Sequence, residues 1–447
     1  ATGQPTSPRM VAAAEADPAC RAWVDSVMSG MSLRDRVCQL FVYTIAPDCS
    51  QANRNLLRRV VEDYRVGGLL FSGGRLADQA RLTNEAQDMA RVPLLLTFDG
   101  EWGLAMRLKQ DAVSYPRNMV LGCITNDSLL TEYGLEVARQ LRELGVQVNF
   151  APVADVNINP RNPVIGTRSF GEHPRRVARQ ATAYAQGLER GGVLSVSKHF
   201  PGHGDTEVDS HKTLPTLDFS RQRLDSVELL PFRHVIESGL GGIMVGHLSV
   251  PAIEPEAKRP SSLSHAVVTG LLRQDLGFRG LVFTDALAMQ GVGRPGTLCL
   301  QALKAGCDVL LVPRRIKEEV DALMKAIDNG ELTQTEVDDH CRRVLTWKYA
   351  LGLSRKPRVQ LSGLDERISP PAARQLAATL RQAAVTVLAN RGDLLPLAPE
   401  ASPVAVVIVG STEQAEPFVS ELKRYARAVP LTLPAGADAA ACRKLAG

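Results

Sequence analysis

The sequence predicts an α/β fold: a (β/α)8 barrel of the TIM type over residues 15–365, then the start of an αβα sandwich over 366–447. Three observations carry this reading. Eight short apolar runs alternate with stretches whose apolar residues recur at helical spacing, the pattern of parallel strands joined by crossover helices. Ionisable residues stand directly after five of those runs, where the loops of a barrel's C-terminal face build a site. Beyond about residue 368 the pattern changes to an alanine-rich helix, a turn and a valine-rich run.

The runs read as strands are 37–43, 68–71, 92–98, 146–153, 193–196, 242–245, 281–283 and 309–312. Helical spacing is clearest at 129–144, 175–190 and 267–276. The same alternation suits an open, doubly wound sheet, but eight units with polar groups after five of them favour closure. In the second segment, 372–388 reads as a helix, 390–393 as a turn, 404–410 as a buried strand and 412–425 as a helix. That is the opening of an αβα sandwich, either truncated or a short appendage.

Composition excludes some functions. The 52 basic residues are interleaved with 48 acidic ones, and no basic stripe with aromatics appears, so nucleic acid is not an expected partner. No run of about 18 apolar residues occurs, so no membrane span is expected. The chain is expected to be a monomer. Its first residues, Ala1-Thr2-Gly3-Gln4-Pro5, resemble the linker after a removed export signal, which points to a periplasmic or secreted protein; a trimmed boundary would look the same, and a cytoplasmic location is the alternative. The eight cysteines contain no CxxC pair, which argues against zinc. Cys20, Cys38 and Cys49 could pair in an exported protein, whereas Cys38 and Cys307 read more simply as buried hydrophobes.

The densest chemistry lies in Lys198-His199-Phe200-Pro201-Gly202-His203-Gly204-Asp205-Thr206, continuing to Asp209-Ser210-His211. Its Pro-Gly-x-Gly core should turn the chain out of the fifth strand into a loop. A second candidate is Asp285 in Phe283-Thr284-Asp285-Ala286-Leu287-Ala288-Met289, a carboxylate closing the seventh strand. A helix N-cap is the alternative use for it. His211 titrates near neutrality and has Asp209 two residues away to orient it, which suits a group that gives and takes a proton.

These motifs resemble the signature of glycoside hydrolase family 3, in its β-N-acetylglucosaminidase branch, over roughly residues 30–315. The resemblance implies Asp285 as nucleophile, Asp209 and His211 as an acid/base dyad, and Lys198 and His199 on sugar hydroxyls. It implies further substrate contacts from Arg168, in Ile165-Gly166-Thr167-Arg168, and from Asp99 and Arg107, the ends of Asp99-Gly100-Glu101-Trp102-Gly103-Leu104-Ala105-Met106-Arg107. That segment departs from the family: Trp102 replaces the usual glycine, Leu104 a common arginine, and Ala286 the acidic residue usual after the nucleophile. Glu207 is the second candidate for the acid, and His203 is expected to shape the loop. Asp155, Asn157 and Asn162 are expected to support the ligands, and His247 to satisfy a core hydrogen bond. The expected partner is a carbohydrate with β-linked N-acetylglucosamine, with no metal and no cofactor. Phosphorolysis, β-glucosidase specificity and inactive sugar binding are the competing readings.

Overall fold

A computed structural model describes residues 7–207, 213–256, 258–289, 292, 296–396 and 403–446. Eight parallel strands follow one another around a barrel: β1 Phe41–Ile45, β2 Gly68–Phe71, β3 Leu95–Phe98, β4 Val148–Asn149, β5 Leu194–Phe200, β6 Gly242–Val245, β7 Leu281–Thr284 and β8 Leu310–Leu311. From β1 to β7 each pairs with the next in sequence, and β8 returns to β1 through Phe41–Leu310 and Val42–Leu311. The last seam, β7 to β8, is short but crossed by backbone bonds, Val309 N to Val282 O and Thr284 N to Val309 O at 3.0 Å and Leu287 N to Leu311 O at 2.9 Å. A single bridge joins Phe283 to Val309, and the Leu311 N–H donates to the Thr284 side-chain hydroxyl at 3.0 Å.

Side-chain chemistry explains the helices around the barrel. Asn126 caps Asp127–Glu143 by accepting from Ser128 N, and a proline opens Pro174–Arg190, where no N–H is needed. These two helices meet at glycines. A Cβ on Gly134 would lie 2.3 Å from Tyr184 O, and one on Gly187 2.2 Å from Thr131 O, so only glycine allows the approach. Tyr133 and Tyr184 stack alongside at 4.8 Å. Inside the barrel, Phe150 and Phe283 meet edge to face at 5.4 Å, both fully buried.

Three strands differ most from their apolar runs, and β3 and β8 are shorter than theirs. Residues Leu33–Cys38 form a helix, because Ser32 and Asp35 make a reciprocal capping box, and β1 starts only at Phe41. Pairing in β4 is confined to two residues. Lys198 and His199 lie within β5 instead of in the loop after it. The segment after β4 runs alongside and pairs with them, through Lys198 N to Pro152 O at 3.0 Å and Ala154 N to Lys198 O at 2.7 Å.

The chain divides into two compact units between Val385 and Thr386. Helix Pro371–Ala384 therefore belongs with the barrel, although the sequence change near 366 assigns it to the second segment. Ala373, Ala377, Leu380 and Ala384 form its buried stripe. The second unit holds parallel strands β9 Val404–Val409 and β10 Ala428–Leu433, joined by helix Thr412–Leu422, with helix Ala439–Ala446 following. All eight cysteines are free thiols, so the bonding option for Cys20, Cys38 and Cys49 is not realised. Cys20 and Cys38 are buried, and burial pushes the Cys38 thiol up to about 12. Among the described residues no helix is long and apolar enough to cross a membrane.

Candidate active site

The C-terminal ends of β3, β4, β5 and β7 bring most of the sequence-predicted residues together. Lys198, 3% exposed on β5, points its ammonium between two carboxylates of the β3 loop, Asp99 at 3.1 Å and Glu101 at 2.9 Å. Arg168, from the loop after β4, grips the same Glu101 with two N–H groups at 3.0 and 2.7 Å. Arg107 donates to Asp99 at 2.7 Å. Burial would raise the Glu101 carboxyl, but Lys198 and Arg168 outweigh it and hold Glu101 well below the usual carboxylate range. Burial likewise opposes the charge on Arg168 and Lys198, yet their carboxylate partners raise both above their ordinary values. Glu101, Arg168 and Lys198 are thus charged at neutral pH.

Asp155 organises the next layer. Its carboxylate accepts from the His199 ring Nδ1 at 2.7 Å, from His199 N at 3.1 Å and from His203 N at 2.7 Å. The other His199 ring nitrogen faces Arg168 Nη2 at 3.4 Å. Asn162 ties the loops together, donating to His203 O at 2.7 Å and accepting from Val164 N and Ile165 N. Asn157 accepts from Gly166 N at 3.1 Å. Gly204 is required by contact, since a Cβ there would fall 1.8 Å from Val156 O. His203 is 1% exposed, and burial first, then His199, lower its ring to about 4, so it is neutral.

Asp285 closes β7 at the edge of this cluster. Its Oδ1 accepts from Ala286 N at 2.7 Å, and its backbone N–H donates to Val245 O at 2.9 Å. Burial pushes its carboxyl up, but His247, His199, the Ala286 N–H and Lys198 together pull it below its ordinary value. An ionised carboxylate near the Lys198 ammonium, at a strand end, can act as a nucleophile. His247 is 1% exposed, with ring contacts to Ser262 Oγ at 2.7 Å and Ala286 O at 3.0 Å, which fits a supporting role.

Asp209 and His211 lie outside the described residues. Glu207, the second candidate for the acid, is exposed and engaged by Arg161. Sequence reasoning left Glu101 without a role, although two of the cradle's cations converge on it. The signal was present: Asp99 and Glu101 stand two apart after a strand, a spacing that puts both side chains on one face of an extended chain. Among the described residues no cluster of three or more His, Cys, Asp or Glu has metal-holding geometry.

Comparison with known proteins agrees with this geometry. The profile of the glycosyl hydrolase family 3 N-terminal domain matches residues 32–347. Beta-hexosaminidase A of Pseudoalteromonas piscicida is 32% identical over 405 residues, 83% of this chain and 66% of that protein. The chain thus spans about two thirds of that relative's length. Beta-hexosaminidase LpqI of Mycobacterium tuberculosis is 36% identical over 71% of this chain and 83% of its own. A solved family 3 β-N-acetylglucosaminidase from Paenibacillus sp. FPU-7 superposes with a TM-score of 0.79 at 32% identity, covering 93% of this chain and 82% of that one. Motif, barrel and profile converge, and the chain belongs to glycoside hydrolase family 3.

Proposed function

We propose that the protein is a retaining β-N-acetylglucosaminidase acting on terminal β-linked N-acetylglucosamine, with cell-wall muropeptides as its substrates. The observation that supports this most is the ionised Asp285 at the end of β7, within electrostatic reach of His199 and Lys198. In this reading Asp285 attacks the anomeric carbon while His211, oriented by Asp209, protonates the leaving oxygen. His211 then takes a proton from the water that releases the sugar from Asp285. Lys198, His199, Arg168, Asp99 and Arg107 offer the donors and acceptors that a hydroxyl-rich ring needs. The names of the relatives support the choice of sugar.

The test is release of p-nitrophenol from its β-N-acetylglucosaminide, compared with the β-glucoside. Asp285→Asn is expected to lower turnover by about 10³-fold or more, roughly 4 kcal/mol of barrier, with an unchanged circular-dichroism spectrum. Near-normal turnover by that variant rules Asp285 out as nucleophile. His211→Ala is expected to harm substrates with poor leaving groups more than aryl glycosides, since only the former need protonation. Equal losses would count against His211 as the acid.

A second reading has its own support, since the β-glucoside phosphorylase BglX superposes with a TM-score of 0.79 at 25% identity. A rate that depends on added phosphate and yields a sugar 1-phosphate would favour it over hydrolysis.

A further inference from the structure

The stretch of sequence that contains Asp209 and His211 has a fixed foot on either side. After it, Ser249 beyond β6 donates from its backbone N to Pro215 O, and Leu217 N donates to Ser249 O, each at 2.8 Å. Before it, Arg223 of helix Arg221–Ser226 donates from one Nη2 to Asp205 at 3.1 Å and to Glu228 at 2.9 Å. Asp209 is four residues beyond Asp205, and His211 four residues before Pro215. Each residue advances a chain by at most about 3.6 Å, so the feet limit where those two positions can be placed. No step of the scheme above uses Arg223, Asp205 or Glu228.

The first foot is held more firmly than a surface ion pair would hold it. The Glu228 side chain is 3% exposed, and the Arg223 guanidinium carbon lies 4.5 Å from the centroid of the Phe219 ring. The neighbouring pair, Arg161 with Glu207, leaves both partners exposed, where salt screens their attraction. Burial raises the Glu228 carboxyl above its ordinary value, with Arg223 opposing the rise. Glu228 Oε2 and Arg223 Nε are buried with no hydrogen-bond partner among the described residues, so this geometry is kept at a cost in free energy. Glu228 also backs the turn itself, since a Cβ on Gly202 would lie 2.9 Å from Glu228 Cβ. Between Gly202 and Asp205, His203 N reaches the Asp155 carboxylate that holds the His199 ring. The clamp therefore fixes the turn where it leaves the cradle.

We propose that Arg223 is a positioning residue for proton transfer: by clamping Asp205 against Glu228, it sets the foot from which His211 meets the leaving oxygen. A proton donor works only within hydrogen-bond reach of its target, so a foot that shifts by an ångström weakens protonation while the nucleophile is untouched. The proposal rests on the reading of His211 as the acid and adds the element that aims it.

The test is kcat/KM on a series of aryl β-N-acetylglucosaminides, from phenyl, a poor leaving group, to 2,4-dinitrophenyl, which departs without protonation. Arg223→Gln is expected to lose about tenfold or more on the phenyl glycoside and less than about twofold on the dinitrophenyl glycoside. Asp205→Asn is expected to show the same pattern, and the double variant to lose no more than either single one, since both break one contact. Arg223→Lys, which keeps the charge, is expected to recover part of the phenyl activity. Melting curves read the fold of each variant separately, and Asp205→Asn carries the test if Arg223→Gln does not fold. An equal loss across the series, or no loss, overturns the clamp. His211→Ala separates the clamp from the parent reading. If it steepens the series while Arg223→Gln does not, the clamp alone falls; if it does not, the acid assignment falls and the clamp with it.

Discussion

Glu101 is the carboxylate whose loss should be felt most, because Lys198 and Arg168 would then face each other in a buried site. Glu101→Gln is expected to cost about 3–5 kcal/mol of unfolding free energy, read from urea denaturation. Its folded carboxyl is held below the ordinary value of 4.5, so its contribution is complete above that pH and is lost as pH falls. The stability difference between wild type and variant should therefore shrink on acidification below pH 4.5. Lys348 gives a slope of the same sign in a higher pH window, from a cation disfavoured by burial. It is buried and donates to Gln39 Oε1 and Pro93 O, each at 2.8 Å, and burial lowers its ammonium from 10.5 to about 7. The unfolded chain binds the extra proton between those values, so stability should rise with pH from about 7 to 10.5. Lys348→Met should remove that component of the slope in denaturation profiles measured at several pH values.

At the scale of elements, runs with no competing local signal were read correctly: 68–71 and 242–245 are strands as written, and 129–144 and 175–190 fall within two residues of their helices. Errors arose where a contact remote in sequence decides the outcome. Nothing in Lys198-His199 announces that the segment after β4 will pair with it and keep it in the strand. The alanines after 371 look alike whether they cover a barrel or open a new domain. Of the candidate site, Lys198, His199, Arg168, Asp99, Arg107 and Asp285 were named from the sequence, and the fold brings them to the same strand ends. Glu101 was harder to read, because a clamp becomes visible only through its partners. The loop after β5 is also set by a partner element: Gly204→Ala would drive a methyl group into Val156 O. That variant is expected to lose both turnover and thermal stability, by about 1–3 kcal/mol or more, in paired rate and melting measurements.

At the scale of the whole molecule the two units differ in what they bury. The first has a continuous core that runs from the N-terminal helices to Ala384. A chain ending at Val385 is expected to melt cooperatively, with helical circular dichroism retained. The second unit leaves Val409, Phe418 and Tyr425 at least 64% exposed and has two strands among the described residues, too few for independent stability. Residues 386–447 alone are expected to show no cooperative melting transition. The seam beside Asp285 closes differently from the others. β7 pairs at four positions with β6, but meets β8 through one bridge, backbone bonds such as Thr284 N to Val309 O at 3.0 Å, and the Thr284 hydroxyl, which accepts from Leu311 N. Closure of the ring there leans on a side chain as well as on the main chain, so Thr284→Val is expected to strand the Leu311 N–H and to cost about 1–3 kcal/mol in thermal melts.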